Sequence, residues 1–137
     1  MLRIATITAL GLSLTACVTT APAKQAVSVI GSIAYRERIA LPPTAQIEVR
    51  LDDVSLADAP SRTLARQAFT ANGKQVPFAF ALTVDKAALD PRHSYAVAAR
   101  ITDADGKLMF ITDTRNSVAF DGRPAIEMGT LNLVMVR

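Results

Sequence analysis

One cysteine, one histidine and two groups of aspartates are the residues of this 137-residue chain with the clearest chemical potential. Cys17 closes the run Leu14-Thr15-Ala16-Cys17 behind a short apolar stretch. That order fits the processing site of a bacterial lipoprotein signal. The thiol would take a diacylglyceryl group, the Ala16–Cys17 bond would be cut, and the freed amine could then be acylated. Small residues at Thr15 and Ala16 let the backbone enter the peptidase. With no second cysteine the chain has no intrachain disulfide to form, so Cys17 is read as a lipidation site.

The other reactive residues promise less. His93 sits in the loop Asp90-Pro91-Arg92-His93-Ser94. A nucleophilic relay needs a hydroxyl and a carboxylate converging on the imidazole, and the chain has no nucleophile-elbow pattern, so His93 reads as a solvated loop residue. Asp52, Asp53 and Asp58 cluster, as do Asp103 and Asp105. Calcium loops use such carboxylates, but the EF-hand spacing and its closing glutamate are missing. These aspartates read as solvated acidic turns. Transition metals prefer His or Cys ligands, and the single cysteine is already assigned to lipid. No glycine-rich phosphate loop occurs. The expectation is no catalytic residue, no metal and no cofactor.

Tyr35 beside Arg36 and Arg38 is the one aromatic–basic group. It could bind an acidic partner segment or a glycan. The alternative is an ordinary strand end whose arginines are solvated or paired with Glu37 or the Asp52 loop; such surface pairs add little stability. Phe78, Phe80, Phe110 and Phe120 fall in apolar alternation and read as core. Nucleic-acid binding is disfavoured by this shortage of exposed aromatics and by a weak charge. The formal charge of +3 falls to +2 if Arg3 is removed with the signal.

Residues 1–16 read as the targeting segment. Arg3 supplies its positive end, and Ile4 to Leu14 supply an apolar stretch far below the roughly 20 residues a membrane-spanning helix needs. Residues 17–26 read as the lipidated cysteine and a flexible tether, and residues 27–137 as one domain. Val18 follows the cysteine, where aspartate would favour retention at the inner membrane. The expected location is the cell envelope, lipid-anchored at the outer membrane and facing the periplasm.

The domain reads as β throughout. Val27, Val29, Ile33 and Tyr35 share one face, as do Ile47, Val49 and Leu51. Phe78, Phe80, Leu82 and Val84 form a third set, and Tyr95, Val97, Ala99 and Ile101 a fourth. Shorter apolar runs lie at Leu108 to Thr112 and Val118 to Phe120. Over Ile126 to Met135 the apolar face switches parity, which predicts a bulge near Gly129. Arg62 to Phe69 has fair helical propensity, but its place between turn signals favours a strand. Asp85 to Leu89 could form one helical turn. Asn72-Gly73, Asp105-Gly106 and Asp121-Gly122 tolerate the positive φ that tight hairpins require. The expected fold is an all-β sandwich of seven to eight mostly antiparallel strands, with a small closed barrel as the alternative. A lipocalin-like barrel needs longer strands.

The order Tyr35-Arg36-Glu37-Arg38-Ile39-Ala40-Leu41-Pro42-Pro43, then DVSLADAP ending at Pro60, then PFAF from Pro77, then ARI and DGKL up to Leu108 resembles the YbaY/YscW-type lipoproteins. That group includes pilotins of type III secretion. The resemblance covers the whole expected domain. It implies a compact β-sandwich on a lipid anchor, and its pilotin branch is associated with outer-membrane secretin rings. The favoured function is therefore a non-enzymatic, chaperone-like binding module held at the membrane by its lipid. Its partner would be an outer-membrane or secretion-system protein. The alternative is a structural or envelope-maintenance lipoprotein contacting polysaccharide or lipid.

Overall fold

The computed structural model describes residues 25–137, so Cys17 and the signal segment lie outside the described residues. Eight strands follow in chain order: β1 (Ala26–Tyr35), β2 (Gln46–Asp53), β3 (Arg62–Thr70), β4 (Phe78–Asp85), β5 (Tyr95–Thr102), β6 (Leu108–Ile111), β7 (Asn116–Val118) and β8 (Ala125–Met135). A single 3-10 turn, Lys86–Ala88, follows β4, and the Asp85 carboxylate caps it by accepting from the Ala87 amide. Arg62–Thr70 is a strand because its alternate residues pack on the core edge, a tertiary gain that outweighs local helix propensity.

The strands form one sheet in the order β3-β2-β5-β6-β8-β1-β4, with β7 also paired to β5. Every pairing is antiparallel except β1 with β8. The all-β class with eight mostly antiparallel strands is as expected. The two layers of the sandwich are continuous, however, because β6 pairs with β8 through Phe110–Met135 and Ile111–Val134. The free edges β3 and β4 then approach each other, and the sheet nearly closes into a barrel. Side chains rather than a backbone ladder bridge that seam. The Ala81 amide donates to Gln67 Oε1 at 2.9 Å, and the Phe69 and Phe78 rings lie 5.9 Å apart.

The predicted inward faces fill the interior. Val29, Ile33, Ile47, Val49, Leu51 and Ile101 are fully shielded from solvent. In β8 the buried positions shift from Ile126 to Leu131 and Leu133, an odd-for-even change of parity. The cause is a bulge. The β1–β8 register slips between Ile30 and Ser32, opposite Glu127 and Thr130, and Gly129 takes φ of 70°. Gly31 faces this bulge: a Cβ there would stand 2.7 Å from the Gly129 carbonyl oxygen and 2.9 Å from the Phe80 ring.

The turn signals fare unevenly. Asn72 and Gly73 do adopt positive φ, and so do Gly106 and Gly122. Only Asp105-Gly106 joins two paired neighbours, β5 and β6. The strands flanking Asn72-Gly73 sit on opposite edges of the sheet, so that turn redirects the chain rather than closing a hairpin.

Candidate functional site

Tyr35 ends β1 on the inward side of the alternation, and its ring is buried. It stacks on Phe110 of β6, centroids 4.1 Å apart and planes 11° from parallel. Such a pair contributes about 0.5–1.5 kcal/mol beyond its buried area. Its hydroxyl donates to the Ile39 carbonyl at 2.6 Å. Burial first, then the Glu37 carboxylate, raises the tyrosine pKa above its ordinary value.

Tyr35 is therefore a buried peg rather than an exposed aromatic platform. What it holds is the segment after it. The Leu41 amide donates to Gln75 Oε1 at 2.8 Å, and Gln75 Nε2 donates back to the Leu41 carbonyl at 3.1 Å. Pinned at both ends, this segment presents Arg36, Arg38 and Ile39 to solvent, with Ile39 44% exposed. Glu37 Oε2 is shielded from solvent with no hydrogen-bond partner among the described residues.

A second charged group covers the outer face of β2, β3 and β5. Glu48 and Asp52 lie on the outward side of β2, yet they are only 8% and 4% exposed. Glu48 Oε2 accepts from Arg66 at 2.6 Å and from Arg100 at 3.2 Å, and Arg50 lies 3.6 Å from Oε1. Asp52 accepts from Arg50 Nε at 3.0 Å and from the Thr63 hydroxyl at 2.7 Å. Burial alone would raise the Glu48 carboxyl, but Arg100 and Arg66 outweigh it and hold it below the ordinary value. Asp52 is thus no part of a solvated turn: it is a strand residue sealed by its neighbours. Sequence reasoning passed over Glu48, because Arg66 and Arg100 reach it only through pairing with β3 and β5.

His93 also has partners. Its Nδ1 lies 2.6 Å from Asp53 Oδ2, and its Nε2 lies 3.7 Å from Asp90 Oδ2. The Ser55 hydroxyl donates to Asp53 Oδ1 and accepts from the Ser94 amide at 2.9 Å. The bonds from Ser55, and then from His93, hold the Asp53 pKa down to about 2. In a nucleophilic relay the histidine stands between hydroxyl and carboxylate. Here the carboxylate stands between the other two, so His93 cannot take the Ser55 proton. The cluster clamps the loop after β2 to the loop before β5. Among the described residues no three His, Asp or Glu side chains converge as metal ligands.

The fold is thus a small, nearly closed β-barrel with one pinned, basic segment facing outward. Residues 24–128 match the family model described as the type III secretion system lipoprotein chaperone YscW. The chain belongs to this family. It is 46% identical over 101 residues to the lipoprotein YbaY of Escherichia coli K12; the match takes in 74% of this chain but only 53% of that relative, so the chain spans about half its length. The solved structure of an alternative pilotin from the type II secretion system of Vibrio cholerae is 48% identical, with a TM-score of 0.69. That likeness covers 81% of this chain and 99% of the pilotin chain. The family is of the chaperone and pilotin type, which supports a non-catalytic lipoprotein role.

Proposed function

We propose that the chain is a lipid-anchored envelope module that docks an outer-membrane or secretion-system protein through the segment Tyr35–Pro43. In this scheme residues 1–16 are removed, Cys17 carries the lipid, and a short tether leads to the domain at residues 27–137. The acylated end confines the domain to the outer membrane on its periplasmic side. Arg36 and Arg38 supply charge toward an acidic partner segment, and Ile39 supplies an apolar contact. Arginine is one of the residue types enriched where binding energy concentrates.

The observation that carries this reading is the pinned segment itself. Tyr35 and Gln75 fix its two ends, while Arg36, Arg38 and Ile39 face outward. A segment fixed before binding loses less entropy on docking. Mild crosslinking in intact cells, followed by identification of adducts, should recover one defined envelope protein. The adduct should disappear in the double variant R36E/R38E and persist in Lys74→Glu, on a different loop. Equal recovery with both variants would refute the segment. Only polysaccharide or lipid adducts would favour an envelope-maintenance role instead. Cys17→Ser should lose lipidation and leave the membrane fraction; unchanged membrane association with an unmodified mass would refute the anchor.

A further inference from the structure

The start of β1 forms one wall of a cleft of about 850 Å³. Leu89, Tyr95, Val118 and Phe120 line it, with Tyr95 and Phe120 packed edge to face at 5.4 Å. Tyr95 and Val118 are buried, while Lys86 and Arg123 stand exposed at the rim. An apolar floor with a charged rim and this volume suits a small apolar ligand, for which sites run roughly 300–1,000 Å³.

Its position narrows the choice of ligand. Gln25, Ala26 and Val27 line the cleft, so the chain leaves the domain at the cleft wall. Cys17 lies eight residues before Gln25. At no more than about 3.6 Å per residue, Cys17 stays within about 29 Å of that wall, and nearer whenever the tether is less than fully extended. An acyl chain on Cys17 has the cleft within constant reach at a high effective concentration.

We propose that the cleft holds one acyl chain of the Cys17 lipid whenever the protein is out of a bilayer. This inference rests on the anchor reading above. It gives the domain a means of sheltering its own lipid from water, and a bilayer competes the chain away. Each methylene transferred from water changes the equilibrium about fourfold, so an unsheltered chain strongly favours any apolar site it can reach.

The test uses the mature chain from residue 17. Residues 25–137 supply every strand of the sheet, and the solved pilotin is matched over 99% of its chain by this domain. The unlipidated Cys17→Ser form is titrated calorimetrically with palmitate, myristate and laurate in vesicle-free buffer. Saturable one-to-one binding is expected, weakening about fifteenfold for each two-carbon shortening. Ala119→Trp, an exposed residue lining the cleft, should weaken palmitate at least about tenfold by steric blockage, with an unchanged unfolding midpoint. Leu89→Glu, which puts a charge in the floor, should do the same. The lipidated wild type, its lipid verified by intact mass, should bind palmitate at least about tenfold more weakly than Cys17→Ser, because its own chain occupies the cleft. Absence of saturable binding to Cys17→Ser would overturn the cleft proposal and leave the anchor standing. Equal palmitate binding by the lipidated and Cys17→Ser forms would show a site for foreign lipid and overturn self-occupancy. A wild-type mass without lipid would overturn the anchor reading, and this proposal with it.

Discussion

The Tyr35–Phe110 stack joins the shortest ladder in the barrel to the proposed docking segment, and its contribution can be measured. Phe110 is 1% exposed on the four-residue strand β6, which links β5 to β8. Truncation to alanine would cost about 3–5 kcal/mol, a large share of the roughly 5–15 kcal/mol available to a domain of this size. Leucine is the better probe, because each single variant, Tyr35→Leu or Phe110→Leu, should cost roughly 1–3 kcal/mol and remain folded. With rings 4.1 Å apart and nearly parallel, the pair should show a coupling of about 1 kcal/mol in a double-mutant cycle. Urea unfolding is the assay. With a slope of about 1–3 kcal/mol per molar, each single variant should lower the midpoint by roughly 1 M, and the double variant by less than the sum. Tyr35→Phe keeps the stack and removes only the hydroxyl bond to Ile39, so it should cost about 1 kcal/mol. Amide exchange should then quicken mainly over residues 36–39. Additivity within about 0.3 kcal/mol in the cycle, or exchange in Tyr35→Phe unchanged over residues 36–39, would refute the idea that this peg fixes the segment.

Three further outcomes follow from local geometry. Gly31→Ala places a Cβ against the Gly129 carbonyl and the Phe80 ring, and thermal unfolding should show a loss of about 1–3 kcal/mol; a neutral result would mean the β8 bulge yields easily. Glu48 has a lowered pKa in the fold, so its ion pairs stabilise fully above its ordinary value of 4.5 and are lost as pH falls through the folded value. The stability gap between wild type and Glu48→Gln should therefore narrow as pH drops below 4.5; a gap constant down to strong acid would refute the pairing. Asp53, lowered from 3.8 to about 2, holds its clamp above 3.8 and releases it as pH falls toward 2, and the carbon chemical shift of its carboxyl should titrate near 2. A midpoint near 3.8 would show that the Ser55 and His93 bonds do not persist in solution.

Much of the fold was legible along the chain. Period-2 alternation placed the core faces of β1, β2, β4 and β5, and it already set Tyr35 on the buried face with Ile33. That same signal could have removed Tyr35 from the list of exposed aromatics. The parity switch in β8 located the bulge, because one extra residue in a strand inverts every side chain beyond it. The order of the strands was not legible. The pairing of β6 with β8 and the parallel pairing of β1 with β8 join segments remote in sequence, and alternation says which face is buried but not which strand lies alongside.

The candidate sites divide in the same way. The chain alone determined the processing-type run at Cys17, the basic pair at Arg36 and Arg38, and the β character of the domain. These are properties of neighbouring residues, set by covalent order and local sterics. Only the tertiary structure decided that Tyr35 is a peg under that basic pair, since its partner Phe110 lies on β6. It also decided that Glu48 is sealed by arginines from two other strands, and that His93 meets Asp53 rather than a nucleophile. The cleft beside Gln25 exists because the β4–β5 and β7–β8 connections and the start of β1 meet at one end of the barrel. Each of these depends on register between distant strands, a quantity that side-chain periodicity along one strand does not encode.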